Sequence, residues 1–397
     1  MKKTIQRISQ LERDLVSEVL DTDFRSSKGG MMTARLEAAF SERLGMKYSL
    51  SFVNGTATMH AALLAAGVGP GDEVIVPPLT MSSTTFVVLQ AGAVPVFADV
   101  DEDTFQIDAE SIRQRLTPRT RAIIPVALYG LMPDMDAIMK IAAEHKLVVI
   151  EDDAEGFLSS AQGKGLGTFG HMSSFSFQSS KHLTSGEGGM IVTNDDELAA
   201  KIRRINSLGY AGVSAKKSKI SRDDIQDPDY SRHVSFGYNY RMPELCAAVV
   251  LGQLQRCDEL VQRRIEVAEL FRDTIAGCEW LKPQVTPAGF VNSYWTFAVR
   301  LVHPRASWRE FRAKFRELGG QGYYAAWKLT YLEPMFAEGC PVKTSEYRGT
   351  YQDYRVGLCP IAERVQAQML QFKTNYWHWP DAELQADILR KTIKHFA

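Results

Sequence analysis

Short apolar runs alternate with stretches of helical periodicity through the first half of the chain. The runs are rich in β-branched residues, which is typical of buried strands. They lie at residues 73–77, 94–100, 122–127, 147–150, 173–177 and 189–193. Helical patterns lie between them, at 56–67, 82–91, 135–145 and 195–207. This alternation predicts an α/β fold with a mainly parallel sheet that is covered on both faces by helices.

The pattern changes in the second half. Residues 243 to about 276 predict one long amphipathic helix, and residues 293–301 then predict a strand of a second sheet. We therefore predict a large domain over 1–255 and a smaller C-terminal α/β domain over 256–397. Further predictions are an amphipathic helix within residues 1–20, a long loop over 209–235, and helices over 308–318 and 380–397.

Composition narrows the classes of function. The chain has 397 residues, with 46 Lys and Arg against 47 Asp and Glu, so a basic surface for nucleic acid is not indicated. Its five cysteines form no CxxC pair, which argues against a zinc or redox motif. Charged residues interrupt the N-terminal apolar positions, and no apolar run is long enough for a membrane span. We expect a soluble cytoplasmic protein without a metal.

One lysine stands between a strand and a glycine-rich loop. Lys181 follows the strand at 173–177 and precedes Gly-Glu-Gly-Gly at 186–189. A lysine amine can form an imine with an aldehyde cofactor and can carry protons, and glycine permits close backbone approach. A surface lysine beside a turn would show the same pattern, so this motif alone leaves both interpretations open.

Carboxylates follow another strand. Glu151, Asp152 and Asp153 come directly after the apolar run at 147–150. Ligands of parallel α/β sheets bind at the carboxyl ends of the strands. Pyridoxal phosphate (PLP) needs a carboxylate there, on its pyridine nitrogen. An aspartate in this place could instead cap the next helix, which leaves the other aspartate for a cofactor.

Two further motifs suit an anion. Gly55, Thr56 and Ala57 open the helix at 56–67, where backbone N–H groups can bind a phosphate. Asn239 and Arg241 stand just before the long helical pattern and suit a phosphate or a carboxylate. Ordinary loop polarity explains each motif equally well by itself.

In this order and at these spacings, the motifs resemble those of the DegT-type sugar aminotransferases. The resemblance covers about residues 30–370 and is carried by residues 51–57, 71–77, 149–152, 175–181, 186–189 and 237–241. It implies PLP-dependent transferase fold type I, the fold of aspartate aminotransferase. That fold has a large domain with a mainly parallel, seven-stranded sheet and a smaller C-terminal domain.

The resemblance also implies roles for residues. Lys181 would be the catalytic Schiff-base lysine, and Asp152 would pair with the pyridine nitrogen. The phosphate would be held by Gly55, Thr56, Ala57 and Ser176. Asn239 would reach the phosphate of the cofactor in a neighbouring subunit, which implies a homodimer with active sites shared across the interface.

The implied reaction is a ping-pong transfer of an amino group. The donor would be glutamate or glutamine, and the acceptor a keto-sugar, nucleotide-linked or free, or a keto-cyclitol. Arg241 would bind the carboxylate of the donor. Tyr323 could face a sugar, because aromatic rings pack on apolar sugar faces, although core packing would explain an aromatic residue equally well.

The chain departs from the family pattern at two cofactor-binding positions. Met81 stands where the family has an aromatic residue on the PLP ring, and a thioether can also pack on a ring. Glu155 stands where the family has Gln or His near the phenolic oxygen of the cofactor. A carboxylate there repels that oxygen, so Glu155 either carries a proton or points elsewhere.

The sequence leaves three alternative functions to be considered. Sugar dehydratases of this family replace the lysine by histidine, whereas here Lys181 is present and His182 is only its neighbour. The Ser-Phe-Gln run at 176–178 favours the aminocyclitol and aminohydroxybenzoate branches. Regulators that only bind PLP carry an added DNA-binding module, and we expect none here because the elements of the fold begin by about Met31.

Overall fold

A computed structural model describes residues 2–25, 31–217, 220–302, 306–322, 324–337 and 354–397. The helices are α1 (Gln10–Asp21), α2 (Met32–Leu44), α3 (Gly55–Ala65), α4 (Ser83–Gln90), α5 (Ala109–Arg115), α6 (Met135–His145), α7 (Asp196–Asn206), α8 (Arg222–Gln226), α9 (Glu244–Gln255), α10 (Cys257–Ile275), α11 (Trp308–Glu317), α12 (Pro334–Ala337), α13 (Pro360–Gln368) and α14 (Trp379–Phe396). The strands are β1 (Tyr48–Phe52), β2 (Glu73–Val76), β3 (Val94–Phe97), β4 (Thr120–Ile123), β5 (Val148–Asp152), β6 (Ser160–Ala161), β7 (Lys164–Gly165), β8 (Met172–Ser176), β9 (Gly189–Thr193), β10 (Leu281–Pro283), β11 (Phe290–Val291), β12 (Thr296–Leu301) and β13 (Met369–Lys373).

The large sheet has the strand order β1-β9-β8-β5-β4-β2-β3. Neighbours from β8 to β3 pair in parallel, and β9 is antiparallel to both β8 and β1. The strands β2, β3 and β9 are buried along their whole length, because apolar clusters pack on both faces of the sheet. The predicted fold, with a mainly parallel seven-stranded sheet, is confirmed.

The topology brings three chemistry-bearing segments to one edge of the sheet. β5 lies between β4 and β8, so the residues after Asp152 and after Ser176 emerge side by side. The start of α3 packs against them across β9. A Cβ on Gly189 would lie 2.6 Å from the carbonyl carbon of Asn54, so only glycine permits this approach.

A second, smaller sheet has the order β10-β12-β13 and is antiparallel. Its core is separate from that of the large sheet and is rich in phenylalanine, with Phe271, Phe297, Phe311, Phe315 and Phe372. The domain boundary between residues 255 and 256 stays a prediction. Within the described ranges, no helix is both long and apolar enough to span a membrane.

The structure corrects several predicted elements. The single helix predicted over 243–276 is two helices, α9 and α10, which are interrupted at Arg256 (φ −117°, ψ 13°). Arg256 reaches the N-terminal segment, donating to Glu12 Oε1 at 2.9 Å and to the Gln6 carbonyl at 2.7 Å. The first helix begins only at Gln10, where Ser9 and Glu12 form a capping box. The long loop predicted over 209–235 contains the short helix α8.

Candidate active site

Lys181 lies in a tight turn after β8. Its backbone N–H donates to the Gln178 carbonyl at 3.0 Å, and the Gln178 side chain accepts the Ser180 N–H at 2.8 Å. The Lys181 side chain is only 13% exposed. Its Nζ lies 3.1 Å from Glu155 Oε1 and 4.7 Å from the centre of the Trp295 ring. The amine is therefore held between a carboxylate and an aromatic face.

Glu155 is fixed by two contacts. Oε1 faces Lys181, and Oε2 accepts the backbone N–H of Tyr129 at 3.1 Å. Tyr129 has a positive φ of 64° and stacks on Trp295, with ring centres 6.5 Å apart. A left-handed conformation is uncommon for a bulky residue, and the surrounding contacts hold it here. The Glu155 side chain is directed at the lysine amine, and its two predicted arrangements beside the bound cofactor stay predictions.

Asp152 is buried and hydrogen-bonded. Thr84 Oγ1 donates to its Oδ2 at 2.8 Å, and the Ala154 N–H donates to its Oδ1 at 3.3 Å. Burial raises the pKa of Asp152, while the Thr84 hydrogen bond and the positive charge of Lys181 work against that rise. A protonated pyridine nitrogen would supply the cation that this buried carboxylate needs, so the residue fits the cofactor.

The two neighbouring carboxylates have other surroundings. Side chains alternate along β5, so Glu151 and Asp153 share the side opposite to Asp152. Glu151 accepts three backbone N–H groups, those of Gly167, Phe169 and Gly170. Asp153 accepts only the Ser173 hydroxyl among the described residues. Burial raises the pKa of both carboxyls, and the charge of Glu151 raises that of Asp153 further.

We expect Asp153→Asn to make the protein more stable at neutral pH. The folded-state pKa of Asp153 lies well above its unfolded value, so the contribution of this residue to the stability of the wild type falls as pH rises from about 4 through the folded pKa. Asparagine cannot ionise, so the variant gains about 2 kcal/mol at pH 8, and this gain shrinks towards pH 5. Urea denaturation at several pH values measures it. A difference that does not change with pH would contradict the prediction.

The start of α3 forms an anion cradle. Asn54 Oδ1 accepts the Ala57 N–H at 2.8 Å, so the amide of Ala57 is already bonded. The amides of Gly55 and Thr56, the first two of the helix, have no partner within it. A Cβ on Gly55 would lie 3.0 Å from the Cβ of Ser176, so the amides adjoin that serine. Helix amides beside a hydroxyl suit a phosphate.

The remaining predicted residues have surroundings of their own or lie outside the described residues. Met81 is 47% exposed and lies just before α4. Its carbonyl accepts the N–H of Thr84 at 3.2 Å, and Thr84 is the residue that binds Asp152. Asn239 and Arg241 are exposed, and in the described part of the chain neither side chain is joined to Lys181 by a hydrogen bond. Tyr323 lies outside the described residues.

Sequence reasoning missed three residues of the site. Thr84 binds Asp152, the Tyr129 amide binds Glu155, and the Trp295 ring faces Lys181. Each comes from a separate element: the first turn of α4, the turn after β4, and the segment before β12. The signal for Tyr129 was its place just after a predicted strand, where ligand-binding residues gather.

Comparison with known proteins identifies the family. Residues 6–366 match the model of the DegT/DnrJ/EryC1/StrS aminotransferase family. GDP-perosamine synthase of Caulobacter vibrioides is 41% identical over 300 residues, which cover 74% of this chain and 76% of that protein. UDP-4-amino-4-deoxy-L-arabinose–oxoglutarate aminotransferase of Shewanella sediminis is 35% identical over 297 residues, covering 75% of this chain and 74% of that protein. The crystal structure of an aminotransferase from Psychrobacter cryohalolentis superposes with a TM-score of 0.84 at 28% identity, covering 100% and 99% of the two chains.

Together with the fold, these similarities show that the chain is a fold-type-I aminotransferase. The chain belongs to the DegT/DnrJ/EryC1/StrS aminotransferase family, and its cofactor is pyridoxal phosphate. The predictions of family, enzyme class and cofactor are confirmed. The dehydratase alternative is not favoured, because Lys181 is present and the family is one of aminotransferases.

Proposed function

We propose that this enzyme transfers the amino group of glutamate to a nucleotide-linked keto-sugar. The observation that carries the proposal is the Lys181 amine, which pairs with Glu155 at 3.1 Å beside the buried Asp152. The sugar is inferred from relatives whose names include a GDP-linked and a UDP-linked amino sugar. Glutamate is inferred as donor because the name of the Shewanella relative includes oxoglutarate.

In this proposal PLP, when bound, supplies the electron sink of the reaction. Lys181 Nζ takes the proton from the carbon that carries the nitrogen and later returns a proton on the same face. Glu155 holds Nζ in place between these steps. Asp152 balances the charge of the pyridine nitrogen, and Gly55, Thr56 and Ser176 hold the phosphate.

We also propose that the active unit is a homodimer. The segment before α9 exposes apolar side chains in the single chain, with Phe236 79% exposed and Val234 56% exposed. Large exposed apolar side chains that lie close together often mark an interface. Asn239 is exposed in the same segment, which suits a residue that reaches the cofactor of a second copy.

Three further roles stay proposals. Arg241 would bind the carboxylate of the donor, and Met81 would pack on the cofactor ring. Tyr323 would contact the sugar. We also propose a cytoplasmic location for the enzyme.

Acceptor specificity tests the proposed function. We expect the PLP-loaded enzyme with glutamate to aminate a GDP- or UDP-linked 4-keto-hexose with a kcat/KM at least about 100-fold above that for the free keto-hexose. The reason is that binding energy from the nucleotide, remote from the reacting carbon, can lower the barrier. Mass spectrometry of the amino product and an assay of 2-oxoglutarate measure both sides of the reaction.

The same assay with a keto-inositol serves as the comparison. Equal rates with the keto-inositol and the nucleotide-linked sugar would contradict the proposed acceptor and support a cyclitol aminotransferase. Production of 2-oxoglutarate without any aminated acceptor would leave the proposed donor in place and overturn the sugar.

A further inference from the structure

Two arginines converge on the backbone carbonyl of Lys181. Arg7 Nη2 donates to this oxygen at 2.7 Å, and Arg264 Nη2 donates to it at 3.0 Å. Arg7 comes from the segment before α1, and Arg264 comes from α10. A carbonyl oxygen has two lone pairs, so both donors can bind at once.

Arg264 is buried, and its hydrogen bonds go to uncharged groups. It is 1% exposed, and its guanidinium donates to neutral oxygens only. These are the carbonyls of Ser180 (2.8 Å), Lys181 (3.0 Å) and Trp295 (2.8 Å) and the Thr374 hydroxyl (3.3 Å). In the described part of the chain it forms no ion pair. An unpaired buried cation costs several kcal/mol, so a packing role alone would favour an apolar residue in its place.

Arg7 is a second cation beside Arg264, and its charge raises the free-energy cost of burying both arginines. Burial lowers the pKa of Arg7 to about 10. Burial, followed by the positive charge of Arg7, lowers the pKa of Arg264 well below its ordinary value, and the negative charge of Glu155 works against that fall. Both arginines also lie near the Trp377 ring, at 4.9 Å and 5.9 Å from its centre. Two like charges are therefore held together at the one carbonyl of the reactive lysine.

Arg264 also binds the backbone of Trp295, the residue whose ring faces the lysine amine. It binds the Trp295 carbonyl, and Trp295 Nε1 in turn donates to the Ser180 carbonyl at 3.0 Å. The Trp295 ring faces Lys181 Nζ. One guanidinium thus joins the backbone of the lysine to the ring that faces its amine.

The segment that carries Arg7 is hydrogen-bonded to several distant parts of the chain. Gln253 Nε2 of α9 donates to the Arg7 carbonyl at 2.7 Å. Nearby, the Ile5 N–H donates to the Trp377 carbonyl at 2.9 Å, and Arg263 donates to the Lys3 carbonyl. The segment 2–7 therefore runs across α9, α10 and the chain before α14 and ends at the turn that carries Lys181.

We propose that Arg7 and Arg264 are positioning residues for Lys181, which aim its amine by fixing its backbone carbonyl. The inference rests on the proposed role of Lys181 in proton transfer. Misplacing a reacting group by about 1 Å can cost up to about 100-fold in rate, whereas donor binding need not change. Loss of the arginine contacts should therefore lower the rate at saturating donor and leave the half-saturating donor concentration nearly unchanged.

The test uses Arg7→Met and Arg7→Lys in the full chain, with PLP and glutamate in single-turnover absorbance measurements. Arg7→Met should lower the saturating rate about 10-fold or more, with less than a two-fold change in the half-saturating glutamate concentration. Arg7→Lys, which keeps one charged donor for this carbonyl, should restore most of the rate. In the cofactor-free protein, Arg7→Met should speed amide hydrogen exchange in the segment 178–186.

Arg203→Lys is the control for a change at a buried arginine. Arg203 is also buried, but its hydrogen bonds go to Glu37 and the Ala215 carbonyl, and it contacts neither Lys181 nor the segment 2–7. We expect wild-type rates in this variant. A rate in Arg7→Met within two-fold of the wild type, or an equal loss in Arg203→Lys, would overturn the inference.

Arg264→Lys provides a second, stronger variant. It keeps the charge, but an ammonium group cannot span the oxygens of Ser180, Lys181 and Trp295 together, so a larger loss of the saturating rate is expected than in Arg7→Met. A folded Arg264→Lys protein with the wild-type rate would overturn the inference. If Lys181 has no role in proton transfer, the Lys181→Ala variant will keep full activity, and this result distinguishes failure of the proposed function from failure of the present inference.

Discussion

Replacing Lys181 by alanine is expected to lower the rate of amino transfer by roughly 10⁴-fold, because the change removes the group that carries the proton. Lys181 Nζ lies 3.1 Å from Glu155 Oε1, and its side chain is 13% exposed. Within the described residues, no other lysine amine is placed beside Glu155. The variant should also lose the covalent link to PLP, which borohydride reduction followed by peptide mass spectrometry detects.

Lys164→Ala is the matched control for this experiment. Lys164 also stands in a glycine-rich turn, but it is exposed and its amine lies over the Phe169 ring. We expect this variant to keep wild-type activity. Methylamine added to Lys181→Ala should restore part of the rate, because a free amine can enter the space and carry the proton. Wild-type turnover in Lys181→Ala would show that another base acts.

The sequence patterns located two residues to which the family resemblance assigns central roles, and those roles stay predictions. Lys181 lies in a turn directly after β8, and Asp152 is the last residue of β5. Both follow buried strands whose apolar runs are clear, and the carboxyl ends of parallel strands meet at one edge. The large sheet was predicted for the same reason. The edge strand β1 was not, because its residues Tyr48–Phe52 mix polar and apolar side chains.

The contacts that support these residues could not be predicted in the same way. Thr84 is 68 residues away from Asp152 in the chain. Trp295 comes from the segment before β12, and Arg7 comes from the segment before α1. Nothing in their local patterns distinguishes them from ordinary polar or aromatic residues, because their roles depend on how distant elements pack.

The break between α9 and α10 is a related case. Apolar residues recur at helical spacing on both sides of Arg256, so periodicity predicts one continuous helix. The interruption coincides with the contacts of Arg256 to Glu12 and Gln6, which are about 250 residues earlier in the chain. Helical periodicity reports which face is buried, and it carries no information about such a distant partner.

The orientation of Glu155 changes how the site is understood. The sequence predicts that its carboxylate repels the phenolic oxygen of the cofactor unless it carries a proton or points away. In the structure both of its oxygens are engaged, one by Lys181 and one by the Tyr129 amide. Glu155 is therefore a partner of the free lysine amine, and its state beside the bound cofactor stays a prediction.

The second large effect is expected for Asp152→Asn, which should lower the saturating rate by about 100-fold or more and weaken PLP binding. Asp152 is buried, and burial raises its pKa, so its negative charge is stabilised only when a cation is near. An asparagine can still accept the Thr84 hydrogen bond, but it cannot balance the charge of a protonated pyridine nitrogen. Charged hydrogen bonds contribute about 1.5–3 kcal/mol, which sets the scale for the loss of affinity. Absorbance titration with PLP measures the affinity, and single-turnover reaction with glutamate measures the rate.

Asp153→Asn makes the same chemical change one residue further along and is the matched control. Asp153 binds Ser173 on the opposite side of β5, so this variant should keep the activity while it gains stability. The comparison also decides which aspartate serves the cofactor, a question that the sequence left open. If Asp153→Asn lost activity and Asp152→Asn kept it, the pyridine nitrogen would pair with Asp153. The cofactor would then lie on the side of β5 that carries Glu151, away from the lysine amine, and the proposed proton transfer by Lys181 would fail with it.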